Sequence, residues 1–153
     1  IDLLKEELEA QGFEVEIHES PMDKIANLPA EEQMKSIMNA YAAKRPIKEL
    51  TDKYDLIINV ANVKMGEVVQ RMTWNALKGT PDIPFYVHEV PTIFVSVNYP
   101  FHLADVPQVK TYINAYDGNK GTIEVLVEKM MGKSEFKGVD PVDAFCGFKD
   151  THI

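Results

Sequence analysis

The residues able to do chemistry are common in kind but sparse in pattern. The chain has 24 Asp plus Glu against 16 Lys plus Arg, so carboxylates that neighbour one another in sequence carry no signal of paired acid and base. Glu6, Glu7 and Glu9, like Glu31 and Glu32, read as wet helix faces. The histidines are His18, His88, His102 and His152, and no His-x-x-x-His pair offers metal spacing. Cys146, in "FCGF", is the single cysteine, which excludes an internal disulfide and a cysteine-built zinc site. With no base beside it in the sequence, it reads as a small buried apolar side chain rather than a nucleophile. No phosphate-binding G-x-x-x-x-G-K-[ST] occurs, and no G-x-G-x-x-G opens a helix. "GNKG" at 118–121 reads as a turn and helix cap, with an anion at the helix start as the other option. What remains is "VSVNYPFH". Asn98, Tyr99 and His102 follow an apolar run there and are the candidate ligand-binding residues. The competing reading is that Asn98 and Tyr99 close a turn and His102 packs it, since Asn tolerates unusual backbone angles.

The elements around these residues set where they sit. Ile1, Leu4 and Leu8 mark a helical stripe, and Gly12 falls where a C-terminal cap belongs. "EVEIHES" alternates and predicts a strand. Pro21 to Pro29 reads as a loop. From Ala30, the spacing of Met34, Ile37, Met38 and Tyr41 predicts a helix, interrupted near Pro46 and followed by a short piece in "IKELTDKY". "YDLIINVAN" is an apolar run of strand length, the mark of a strand covered on both faces. Met65, Val68, Val69 and Met72 give helical spacing again. "TIFVSV" predicts a second buried strand, and "TYINAY" a third, more polar one nearer an edge. Ile123, Leu126, Val127 and Met130 make a last helical stripe, closed by Gly132. Residues 134–153 form an irregular tail.

Strands alternating with helices imply a mainly parallel sheet in a three-layer α/β/α sandwich of flavodoxin-like type. Such a domain ordinarily begins with a strand, so one is expected upstream of Ile1. Residues 99–110 connect two strands, about the shortest length for a parallel crossover of roughly a dozen residues. Pro100 and Pro107 leave room for one helical turn between them. This loop would leave the carboxyl end of a strand, the edge where open α/β sheets bind ligands. Asn62, ending an earlier strand, belongs to the same edge.

At 153 residues the chain fits a single domain with a full core. Hydrophobic residues make up 45% and charged residues 26%, and the formal net charge is −8. An acidic balance of this size argues against nucleic-acid partners, which need a basic face. No apolar run approaches the ~20 residues of a membrane span.

"DLIINVAN", "VPTIFVSVNYPFHLADVPQVKTYINAY" and "MMGKSEFKGVDPV", in that order, resemble the C-terminal domain of glycoside hydrolase family 3, in its β-N-acetylhexosaminidase-like branch. The resemblance covers roughly residues 1–148 and is strongest over 91–142. It implies an N-terminal (β/α)8 barrel elsewhere in the polypeptide, which holds the carbohydrate, the nucleophilic aspartate and, in this branch, a histidine acid/base. No barrel signature of the Lys-His-Phe/Ile-Pro-Gly type occurs in the chain. The implied parent enzyme is a retaining glycosidase that removes terminal β-linked N-acetylglucosamine and needs no cofactor or metal. The chain by itself is expected to be catalytically silent, with no catalytic residue of its own. Glu67 lies near the region where another branch carries an acid/base glutamate, without the surrounding pattern, and the role is not carried over. Tyr41, Tyr112, Tyr116 and Trp74 could stack on a sugar ring; Tyr41, on an apolar stripe, reads as core. The alternative is a free-standing flavodoxin-like module that binds a ligand at Asn62, Asn98 and His102. Both cytoplasmic and secreted locations remain compatible with the sequence.

Overall fold

A computed structural model describes residues 1–19, 21–42, 47–63, 86–106 and 108–147. The elements in chain order are α1 (Asp2–Ala10), α2 (Pro21–Ala26), α3 (Ala30–Ala42), α4 (Ile47–Thr51), β1 (Ile57–Asn62), β2 (Thr92–Val97), a 3-10 turn (His102–Ala104), β3 (Thr111–Asn114) and α5 (Lys120–Met130). They fall into two compact units. One comprises Ile1–Glu16, Ile58–Met72 and Ile93–Ile153; the other comprises Ile17–Ile57 and Thr73–Thr92.

The first unit holds a three-stranded parallel sheet in the order β1-β2-β3. β2 is the middle strand, and apart from half-buried Ile93 every residue of it is buried. This follows from its sequence: six residues of "TIFVSV" can be covered from both faces because none is charged. Strand alternation divides the side chains. Val95 and Val97 face α1 and α5 and join Leu4, Leu8, Ile123, Leu126 and Val127 in one core, with Ile58, Val60 and Ile113 packed against it. Each of these fully buried aliphatic side chains contributes about 1.5–3 kcal/mol through apolar burial. Phe94 stacks on Tyr112 of β3, rings 5.5 Å apart and 7° from parallel. The register puts these two side by side, with Ile93 opposite Thr111 and Ser96 opposite Asn114.

α1 and α5 end in the same way. At α1, Phe13 N donates to Leu8 O (3.2 Å) and Gly12 N to Glu9 O (2.9 Å). At α5, Lys133 N donates to Glu128 O and Gly132 N to Lys129 O, both at 3.0 Å. These are Schellman caps, and they need a positive φ at the glycine, which is +94° at Gly12 and +70° at Gly132. α5 starts on Asn119, whose side chain accepts from Thr122 N at 2.9 Å. "GNKG" is therefore a cap, as its composition suggests.

Several expectations change. Residues 14–19 of "EVEIHES" have no regular secondary structure, and Ser20 lies outside the described residues. Val15 packs against the core of the first unit, so the alternation records one wet and one dry side of the chain without strand pairing. Residues 21–26, read as loop, form α2, with Pro21 as its first residue, a position that tolerates a missing N–H. In the second unit, α3 forms where its spacing predicts, yet Met34 and Met38 are 68% and 63% exposed. Periodicity locates a stripe and says nothing of what covers it. Tyr41 lies on that helix with its side chain outside the described residues. The expected helix at 65–72, Glu67, Trp74, Pro46, Pro107 and His152 also lie outside them.

Candidate functional site

The carboxyl ends of the three strands carry amides. β1 ends at Asn62, β2 is followed by Asn98, and β3 ends at Asn114. Asn98 Nδ2 donates to Asn62 Oδ1 at 2.5 Å, joining two strand ends. The backbone at Asn98 has φ +79°, and Tyr99 N donates to Val97 O at 3.2 Å. Together these make the positive-φ γ-turn, a rare and strained conformation. Ser96, next to last in the buried strand, donates its hydroxyl to Tyr99 O. Three residues thus turn the chain through a tight corner at the sheet edge.

The crossover after this corner is built as its length predicts. His102–Ala104 make one 3-10 turn, and Val106 and Val109, further along the crossover, are buried. His102 is 0% exposed. Its ring stands edge-on to Phe94 (6.2 Å between centroids) and tilted against Tyr99 (4.9 Å). Its Nδ1 lies 3.5 Å from Oδ2 of buried Asp105. Of the three candidates, then, Asn98 and Tyr99 form the corner, half-buried, and His102 lies behind them inside the fold. His18 and His88 are exposed in the other unit. Cys146 is exposed, correcting its reading as a buried apolar residue. It occupies a turn with φ +55°, organised by Asp143 Oδ1, which accepts from Phe145 N at 2.9 Å, and by Asp143 Oδ2, which accepts from Gly147 N at 2.5 Å.

One well-connected group on this edge is one that sequence reasoning missed. Asp140 Oδ2 accepts from Asn114 Nδ2 at 2.7 Å, and Asp140 Oδ1 accepts from the Tyr116 hydroxyl at 2.6 Å and from Val142 N at 3.1 Å. Asn114 in turn takes the Tyr112 hydroxyl on its Oδ1 at 2.9 Å and reaches Pro100 O at 3.4 Å. Desolvation, then the hydrogen bond to Asp140 and its charge, push the Tyr116 phenol up to about 12. Burial likewise raises the Tyr112 phenol. The signal available in the sequence was the Asp-Pro step in "GVDPV", which marks a turn and not a partner 24 residues away. A shallow cleft of about 130 Å³ adjoins this edge, lined by aliphatic residues of α1, the sheet and α5 with Asn62 and Gly118. Among the described residues, no group of three or more His, Cys, Asp or Glu side chains could hold a metal ion, and no helix is long and apolar enough to cross a membrane.

No family model matches the chain. A Beta-N-acetylglucosaminidase/beta-glucosidase of Cellulomonas fimi is 43% identical over 110 residues, which is 71% of this chain and 19% of that protein. Among solved structures, the Beta-glucoside phosphorylase BglX aligns with a TM-score of 0.58 and 42% identity over 72% of this chain and 20% of its own. The chain thus spans about a fifth of the length of the proteins it matches.

Proposed function

The chain belongs to glycoside hydrolase family 3 as a C-terminal-type α/β domain, and from that premise we propose that it is the non-catalytic support of a (β/α)8 barrel in a β-N-acetylhexosaminidase-like enzyme. The parent reaction would be hydrolysis of terminal β-linked N-acetylglucosamine with retention. The observation that supports this reading is the 43% identity over 110 residues, 19% of a relative named for both β-N-acetylglucosaminidase and β-glucosidase activity. The chemistry of the edge is in keeping with it. Retaining hydrolysis ordinarily uses two carboxyl groups about 5 Å apart and free to act, or, as the resemblance implies for this branch, a carboxylate and a free histidine. The carboxylates at this edge are engaged in structure: Asp140 by three donors, Asp105 beside His102, and Asp117 by Gly118 N. Asn98 and Tyr99 would meet the barrel or its sugar from the domain side, with His102 bracing them.

The test is an assay of the full-length protein on chromogenic β-N-acetylglucosaminide and β-glucoside, with and without inorganic phosphate. We expect free N-acetylglucosamine, formed equally well without phosphate, and no turnover by residues 1–153 alone, once circular dichroism shows them folded. Turnover by this chain alone would overturn its supporting role. A glucoside preference, or sugar 1-phosphate formed only with phosphate, would overturn the proposed specificity or acceptor and leave the family assignment standing.

A further inference from the structure

The link between β3 and α5 contains Asp117–Gly118, and no other Asp or Asn in the sequence stands directly before a glycine. Both residues are exposed and lie outside regular secondary structure. The Asp117 side chain curls forward along its own backbone. Its Oδ1 accepts from Gly118 N at 2.6 Å and from Asn119 N at 3.2 Å, and its Oδ2 accepts from the Asn119 side-chain amide. An oxygen that close to Gly118 N brings the carboxyl carbon, one bond away, near the same nitrogen. Closure of an aspartate onto the following amide needs this approach, and holding the reacting atoms in it removes part of the entropic barrier. Position 118 is glycine for a packing reason: a Cβ there would stand 3.0 Å from Val97 Cγ1, in the core of the first unit. Glycine also shields its own nitrogen least. The residue that the core keeps bare is therefore the one that leaves the preceding carboxyl group open to cyclisation.

We propose that Asp117–Gly118 is a site of spontaneous modification, where the folded domain converts aspartate to isoaspartate, and that the conversion loosens the cap of α5. Gly118 N bonds to Asp117 Cγ and gives up its proton, and the protonated carboxyl group loses its hydroxyl, so one water leaves and a five-membered imide remains. Water then adds back at one of the two ring carbonyls. Opening at Cγ restores aspartate. Opening at the main-chain carbonyl leaves Gly118 attached through Cγ, with an extra methylene in the backbone. That shifts Gly118 from its place against Val97 and ends the hold of Asp117 on Asn119, whose side chain caps α5 through Thr122 N at 2.9 Å and whose carbonyl accepts from Ile123 N at 3.1 Å. The test ages the full-length protein in heavy-oxygen water and maps its peptides by mass spectrometry. The peptide containing Asp117 should split into two chromatographic forms of one sequence, with heavy oxygen at residue 117 of the isoaspartyl form. Its rate should fall within about tenfold of that in a free peptide of residues 112–124, since the fold supplies the approach. Asp117→Glu, whose ring would have six members, should not convert. In the isoaspartyl fraction the Thr122 and Ile123 amides should exchange hydrogen faster than in the unconverted protein. A folded-state rate further below that of the peptide, or equal conversion in Asp117→Glu, overturns the site. Unchanged exchange at Thr122 and Ile123 overturns its effect on α5.

Discussion

Asn98 holds the tightest corner of the sheet edge, and its cost and use are separable by mutation. A positive φ costs an L side chain of order 1 kcal/mol or more, and glycine almost nothing. Asn98→Ala keeps the strain and loses the bond to Asn62, so we expect a loss of about 1–2 kcal/mol in denaturant unfolding. Asn98→Gly should lie within about 1 kcal/mol of the native protein, because relief of strain offsets the lost bond. Gly118 is a second point of close approach. A Cβ there would stand 3.0 Å from Val97 Cγ1, inside the buried core. Gly118→Ala is therefore expected to cost about 1–3 kcal/mol as an overpacking change, read as a lower unfolding midpoint at unchanged m. Histidine at 102 is wholly enclosed by Phe94, Tyr99 and Asp105. Truncation to alanine leaves a cavity, with an expected loss of about 2–5 kcal/mol. If the parent protein has the glycosidase activity proposed above, a role for His102 confined to bracing predicts that its kcat/KM per folded molecule stays unchanged.

The helices and strands divide into those whose causes are local and those whose causes are not. α5 was legible throughout: Asn119 caps it, Ile123, Leu126 and Val127 form its buried stripe, and Gly132 ends it at φ +70°. Each of these is a short-range property of residue type and spacing. Gly132→Ala should accordingly cost about 1 kcal/mol, since an alanine there must hold the left-handed conformation. β2 was legible because its burial on both faces needs an unbroken apolar run, and the crossover because a twelve-residue link between parallel strands leaves few options. The expected strand at 14–19 failed for a reason of the same kind. Alternation reports which side of an extended chain is dry, whereas membership of a sheet requires a neighbour with free hydrogen-bonding groups, and that neighbour is not encoded in the segment. Met34 and Met38 repeat the lesson on a helix: the stripe is in the sequence, its covering is not.

In the whole chain, the edge that sequence reasoning placed at Asn98, Tyr99 and His102 is organised as much by Asp140, which enters from 26 residues beyond Asn114. Nothing local in "GVDPV" points to that pairing, because a carboxylate and its donors meet only after β3, α5 and the return segment are all in place. The pairing has a consequence for stability in alkali. Desolvation and Asp140 hold the Tyr116 phenol at about 12, above the ordinary value near 10. The native state then retains a proton that the unfolded chain releases, so the contribution is complete below about pH 10 and is lost as pH rises from there through about 12. Unfolding measured at stepped pH should show stability falling across that window, and Tyr116→Phe should flatten that part of the curve. An equal slope in the native protein and the variant would assign it elsewhere.

Cys146 stands exposed just past the segment that Asp140 fastens, and no other thiol occurs in these 153 residues. A maleimide dye or nitroxide would attach there without any engineered cysteine in this domain. Its fluorescence anisotropy or line shape would then report the motion of that stretch as it happens, so the chain carries its own attachment point for a real-time motion sensor.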